Sequence, residues 1–276
     1  MSGKKWTAAL LLIGLLPALL GGCFTVDINI PSDGNAVPQE SVQEAAALPT
    51  AAPGAAPAEG QNAGALTAMT AAEQLSYFNI AVNRIKAEKA GFKKSKLTAT
   101  EDIVLSNSLA NSLVSLVKGA LLSETAAETV VNRGESSDAV MSPYNVPYVS
   151  QLTEEDVEKI DVVPAGGGYT VTVYVKPETN PEAQGSRFAK IFEFMTVDDV
   201  VNTYAPKVGA QVAREDIEVA FDGCYARATI DAEGNVTEYE TFVKATMLLK
   251  NAKVRVITTD VTAVLSSTTR YTDFSY

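Results

Sequence analysis

Apolar residues return at every second position through much of the chain's second half. That period confines those segments to strands with one buried face. Tyr169, Val171, Val173 and Val175 alternate with Thr170, Thr172 and Tyr174. Cys224, Ala226, Ala228 and Ile230 share one strand face, and Val243, Ala245, Met247 and Leu249 share another, with Val261, Ala263 and Leu265 placed to lie opposite. The predicted strands run over 217–231, bulged near Gly223, then 236–249 and 253–273. Residues 232–235 supply a first hairpin turn and Lys250-Asn251 a second, tighter one, so the tail reads as an antiparallel meander. Residues 188–194 read as a further strand. Gly166, Gly167 and Gly168 read as a flexible turn; a phosphate loop needs a following helix and an attached Lys-Ser/Thr, and this stretch has neither.

Upstream the period is helical. Thr70-Ala-Ala-Glu73 is a capping box, and Leu75, Phe78, Val82 and Ile85 follow at helical spacing. The helix is expected to stop at Gly91, with Phe92 folding back over its end. A second capping pattern, Thr98-Ala-Thr-Glu101, predicts a longer helix with Leu105, Leu109, Leu113 and Leu116 in one stripe, widened by Val117 and Leu121. Residues 124–133 read as helical up to Gly134. Residues 135–165 are less regular, broken by Pro143 and Pro147, and 196–204 read as a short helix ended by Pro206. Helices first and strands later define an α+β class. The expected architecture is N-terminal helices packed on one face of a curved antiparallel sheet of four to six strands, in a single domain over 70–276.

The N-terminus addresses location. Lys4 and Lys5 precede an apolar run of 13 residues, Ala8 to Leu20, that closes on Leu20-Gly21-Gly22-Cys23. A membrane-spanning helix needs roughly 20 apolar residues, so the run reads as the core of a secretory signal. The segment resembles the lipobox of bacterial lipoproteins over residues 1–23. The resemblance implies cleavage after Gly22 and a diacylglycerol thioether on Cys23, which would hold the mature chain at the outer face of a cell membrane, or at an outer membrane in a two-membrane host. Residues 31–65, rich in Ala, Pro, Gly, Gln and Glu, have too little apolar content to order themselves. The stretch 23–69 is therefore read as a lipid-anchored linker with a span of roughly 35–40 Å, after a signal peptide over 1–22.

Composition removes several chemistries. Of 22 basic residues two, Lys4 and Lys5, lie in the leader; against 33 acidic residues the mature chain carries a net charge of −13. Such a surface repels nucleic acid. The chain has no histidine, which rules out a Ser-His-Asp triad, a Cys-His dyad and a His-ligated zinc. With Cys23 lipidated, Cys224 has no partner within the chain, and its strand pattern places it as a small buried residue. No metal and no cofactor are expected.

Five features invite a functional reading. Ser115-Leu-Val-Lys118 matches the S-x-x-K nucleophile motif and resembles that of penicillin-binding proteins and serine β-lactamases, but S-D-N is missing and Lys207-Val-Gly209 lacks the hydroxyl of K-T-G. Lys86, Lys89, Lys93, Lys94 and Lys96 form a basic cluster at a helix C-terminus, where it complements the dipole or docks an anionic partner. Asp231 to Asn235 resembles part of a calcium loop, but the twelfth position holds Phe242, so it reads as a hairpin turn. Glu154-Glu155-Asp156 and Asp198-Asp199 read as acids in first helical turns. The only tryptophan, Trp6, leaves with the leader, which gives no indole for stacking a sugar. Finally, the apolar strand faces over 243–249 and 261–265, incompletely covered by helix, would form a hydrophobic groove like that of LolA-like envelope carriers, a similarity of element order alone.

These observations favour a non-enzymatic, membrane-anchored binding module for a protein, a peptide or a wall polymer. A carrier of lipid or another apolar ligand is the alternative, and a Ser-Lys hydrolase a third reading.

Overall fold

The computed structural model describes residues 65–106, 127–207, 209–254 and 256–276. Helix α1 (Ala71–Ala87) opens with the capping box that the sequence predicts. The Glu73 amide donates to Thr70 Oγ1 at 3.3 Å, and the Thr70 amide donates to the Glu73 carboxylate at 2.9 Å. The helix ends two residues earlier than expected. Lys89, at φ +50°, takes the left-handed position; its amide donates to Lys86 O, and the Ala90 amide donates to Ile85 O. This is the Schellman arrangement with lysine where glycine is usual. Gly91 answers a different need: a Cβ there would sit 2.7 Å from the Arg133 nitrogen and 2.6 Å from Ser275 Oγ.

Among the described residues ten strands form one antiparallel sheet: β1 (Gly91–Leu105), β2 (Ala127–Val131), β3 (Val157–Ala165), β4 (Gly168–Val175), β5 (Glu178–Thr179), β6 (Ala210–Gln211), β7 (Ile217–Phe221), β8 (Tyr225–Ile230), β9 (Val236–Val254) and β10 (Ile257–Ser275). The main order is β2-β1-β10-β9-β8-β4-β3; β5, β6 and β7 extend the broken strands beside β9. The class is α+β with strand dominant, and the sheet is wider than the four to six strands expected.

Several expectations are corrected. Residues 98–105 are strand, because β1 pairs with β10 from Gly91 through Leu105. The two capping residues reach across the sheet instead: Thr98 Oγ1 lies 3.3 Å from Ser267 Oγ on β10, and Glu101 meets Lys244 on β9 at 2.9 Å. The remainder of the predicted second helix, from 107 on, lies outside the described residues as far as 126. Residues 127–131 are strand as well. Residues 188–194 are a 3₁₀ turn and irregular chain, since Phe188, Ile191, Phe192 and Phe194 are all buried and no period-2 alternation remains. Lys250-Asn251 is no turn: β9 runs on to Val254, and Asn251, at φ +52°, forms a bulge whose amide donates to Asp260 Oδ1 at 2.9 Å. Pro206 does not end the short helix. The π-helical segment Val200–Tyr204 comes before it, and α-geometry continues over Ala205–Lys207.

Register sorts the side chains into rows across the sheet. One face carries Val171, Ala228, Tyr239, Tyr271 and Lys94 in one row, and Val173, Ala226, Thr241, Thr269 and Lys96 in the next. Leu249, Met247 and Ala245 stand opposite Val261, Ala263 and Leu265, as the sequence predicts. Leu75, Phe78, Val82 and Ile85 of α1 join this face and Phe188, Phe192 and Phe221 in one hydrophobic cluster. Cys224 is fully buried there, and burial pushes its thiol pKa up to about 11.

Within this core the Tyr239 hydroxyl has no hydrogen-bond partner among the described residues. A buried polar group left unpaired costs roughly 1–3 kcal/mol. Tyr239→Phe keeps the ring and removes the orphan, so it is expected to stabilise the fold by about 1 kcal/mol, read as a raised urea midpoint at unchanged m-value.

Candidate functional site

The five lysines do not form one surface. Strand alternation puts Lys94 and Lys96 on the inward face of β1 and Lys93 on the other. Lys93 meets Asp273 at 3.7 Å. The Lys86 side chain is almost wholly buried, 3.5 Å from Asp138; burial lowers its pKa and the carboxylate works against that shift. Lys89 is exposed at the helix end.

Lys94 and Lys96 converge on Glu193, at 2.9 and 2.8 Å. The Glu193 side chain keeps 37 % of its exposure. Burial opposes its ionisation, yet the two ammonium groups outweigh it and bring its pKa down to about 2.

The lysines also hold a loop. After β2 the chain runs through residues 137–151 with Met141 and Val149 buried. Lys94 Nζ donates to Val140 O at 2.7 Å and Lys86 Nζ to Ser142 O at 3.4 Å. Ser142 Oγ donates to Ile191 O, and Asn145 Nδ2 to Lys190 O. Two asparagines one turn apart on α1 complete the lashing. Asn83 Oδ1 accepts from the amides of Val149 and Ser150, at 2.8 and 2.9 Å, while its Nδ2 donates to Ser150 O. Asn79 Nδ2 donates to Leu152 O, and its Oδ1 accepts from Ser150 Oγ.

Held in this way, the loop turns Tyr144 and the run 146–148 outward: Tyr144, Val146 and Tyr148 are 36, 55 and 43 % exposed. The Tyr144 ring packs on Phe194 with centroids 5.1 Å apart. Its phenol pKa is raised, first by burial and then by Asp199 and Glu193. Ile80, on α1 next to Asn79, is also exposed. Solvent-facing aromatic and branched side chains on a fixed backbone are the features of a contact surface.

Other sequence candidates resolve simply. Asp231 Oδ1 accepts from the amides of Glu233 and Asn235, which makes the 231–235 stretch a hairpin turn. Among the described residues no cluster of carboxylates, cysteines or histidines could hold a metal. Asp156 accepts from Thr153 and Lys190, and Asp199 closes a capping box with Thr196. Cys23, Ser115 and Lys118 lie outside the described residues. Sequence reasoning passed over Glu193, Asn79, Asn83, Tyr144 and Tyr148. The available signal was two asparagines at i, i+4 beside the apolar stripe of an amphipathic helix, since such amides need a specific partner once covered. Comparison with protein families, curated proteins and solved structures finds no match.

The lashing makes two predictions. Asn83→Ala strands the Val149 and Ser150 amides; stability should fall by about 2–3 kcal/mol, with faster hydrogen exchange at those two amides. Glu193 has a folded-state pKa below its ordinary value of about 4.3. Its stabilising contribution is therefore complete above that value and disappears as pH falls toward about 2. Urea titrations at a series of acid pH values should show this slope in the native chain and a reduced slope in Glu193→Gln.

Proposed function

We propose that this chain is a membrane-tethered, extracytoplasmic binding module without catalytic activity, and that it contacts a protein, peptide or wall component through the loop carrying Tyr144, Val146 and Tyr148. In this reading residues 1–22 direct export, Cys23 carries the lipid, the expected linker forms the tether up to Leu66, which packs into the core with a 3₁₀ turn over Leu66–Ala68, and the chain from there to 276 forms the binding domain. The observation that carries it is the combination of outward aromatic and branched side chains with a backbone held by seven named side chains: Lys86, Lys94, Asn79, Asn83, Ser142, Asn145 and Ser150. A loop already fixed loses little conformational freedom on binding, so its contacts go into affinity.

The reading includes helical cover over one face of a curved sheet. α1 supplies part of it, and the rest of the predicted cover, over 107–126, lies outside the described residues. The second reading, a carrier of an apolar ligand, needs an open face over Val243, Ala245, Met247 and Leu249, and all four are buried; extraction of co-purified lipid from the native protein tests it.

Two measurements test the main reading. Fatty-acid labelling of cells should mark the native protein and fail with Cys23→Ser. A photo-crosslinker at Tyr148 should capture an envelope component in living cells, and a Val146→Ser/Tyr148→Ser variant with unchanged Tm should lower binding of that component about tenfold, or about 1.4 kcal/mol. Equal binding by the variant would refute the loop as the contact surface.

A further inference from the structure

The break between β7 and β8 carries a chemistry separate from the loop. Asp222, Gly223 and Cys224 join Phe221 to Tyr225. Phe221 stands opposite Ala245 and Tyr225 opposite Phe242, so one strand has one residue more than its partner over this interval. The surplus is a bulge. Asp222 and Gly223 are exposed, while Cys224 points into the core.

At this bulge the Gly223 amide nitrogen lies 2.7 Å from Oδ1 of the preceding Asp222. The Asp222 carboxyl is thus folded back onto the backbone nitrogen of the next residue. That contact is the one hydrogen bond the Gly223 amide makes among the described residues, so no ladder bond holds the nitrogen away. Gly223 has φ +66°, and nothing lies within 4 Å of where its Cβ would be. No side chain on the following residue hinders approach to the carboxyl carbon. The other aspartate turn differs on each count. Asp231 directs its carboxylate to amides two and four residues on, and Ala232 follows it.

We propose that Asp222 is a site of spontaneous isoaspartate formation in the native protein. The Gly223 nitrogen attacks Cγ of the neutral carboxyl, a new N–Cγ bond forms, the Cγ–OH bond breaks, and the nitrogen's proton and that hydroxyl leave as water. The product is a five-membered succinimide. Water then opens the ring at Cγ, which restores aspartate, or at the α-carbonyl, which leaves the backbone running through Cγ. No oxidant, reductant or enzyme takes part. The second product has one more backbone atom, at a point where the strand already carries an unpaired residue. The flanking β7–β9 and β8–β9 pairings need not move to accept it. The nearest consequence falls on Cys224, whose thiol lies 3.7 Å from Asp222 O and 3.5 Å from Lys244 O.

The experiment ages the folded full-length mature chain at 37 °C and mildly acidic to neutral pH, then maps tryptic peptides. The peptide from Glu215 to Arg227 should split into two species of equal mass, one of them resistant to cleavage before Asp222 and a methyl acceptor for an isoaspartyl methyltransferase. Asp222→Glu, which would need a six-membered ring, should leave that peptide a single species. Asp222→Asn should convert faster than the native chain and gain one mass unit as ammonia leaves. Asp33-Gly34 in the same chain serves as an internal reference for an Asp-Gly pair. A 215–227 peptide that stays single in the folded protein, while the urea-unfolded chain converts, would overturn the proposal. So would equal methyl acceptance at this peptide in native and Asp222→Glu chains.

Discussion

The pairing of β9 with β10 runs from Val254–Ile257 to Tyr239–Tyr271 and fixes which residues of both strands face inward. A slip of one residue would exchange the faces. Arg270 would then stand beside Tyr239 in the core, and Tyr271, now buried, would enter water. Register is also what brings Lys94 opposite Tyr271 and Lys96 opposite Thr269 on β1. The Asn251 bulge absorbs the one discontinuity in this ladder, and the Asp260 carboxylate holds it. The loop site therefore depends on a pairing formed by strands more than 80 residues away in sequence.

Lysine placement carries the second half of that dependence. Two ammonium groups facing inward would be strongly destabilising alone. Glu193 bridges both and offsets one of the two charges, and it can do so because residues 188–194 leave the sheet and bury Phe188, Ala189, Ile191, Phe192 and Phe194 while this carboxylate stays near the rim. Once paired, Lys94 has a spare donor, which goes to Val140 O. A charge that is costly on its own thus becomes a fixed donor for the loop backbone. A buried ion pair of this type adds little net stability; its structural consequence is one defined loop path.

What the sequence disclosed follows the range of each signal. Side-chain alternation is local, so β4, β8, β9 and the facing residues of β10 were readable, as were the Thr70 capping box and the buried place of Cys224. The pattern Thr98-Ala-Thr-Glu101 is equally local and misled, because long-range pairing with β10 outweighs a capping preference of about 1 kcal/mol. The lysine cluster misled for a related reason. Neighbours in sequence fall on opposite faces once the segment is strand, and whether 93–96 is strand was not visible within it. Glu193 was hidden because its role exists only after β1 meets the 188–194 segment. Asn251 looked like a turn residue and is one in conformation, at φ +52°, but within a bulge.

The outward face of the sheet is engaged with itself. Tyr174, Tyr225 and Phe242 form a row across three strands, an apolar display that would by itself invite a partner. Its rings are already engaged. Lys159 Nζ lies 5.3 Å from the Tyr174 ring centroid and the Arg227 guanidinium 5.0 Å from that of Tyr225, while Tyr225 and Phe242 stack at 5.3 Å. In the adjacent row Glu240 meets Arg270 at 2.7 Å and Arg227 at 3.7 Å, and accepts from the Tyr225 hydroxyl. Burial works against the Glu240 charge, but Arg270, Tyr225 and Arg227 hold its pKa below the ordinary range. Arg227, Glu240 and Arg270 answer one another on this face, and the rings of Tyr174, Tyr225 and Phe242 each have a cation or a ring beside them. A partner binding there would have to displace those contacts before making its own. Val146 and Tyr148, by contrast, are 55 and 43 % exposed, on a loop that Asn79, Asn83, Lys86 and Lys94 hold from the inner side.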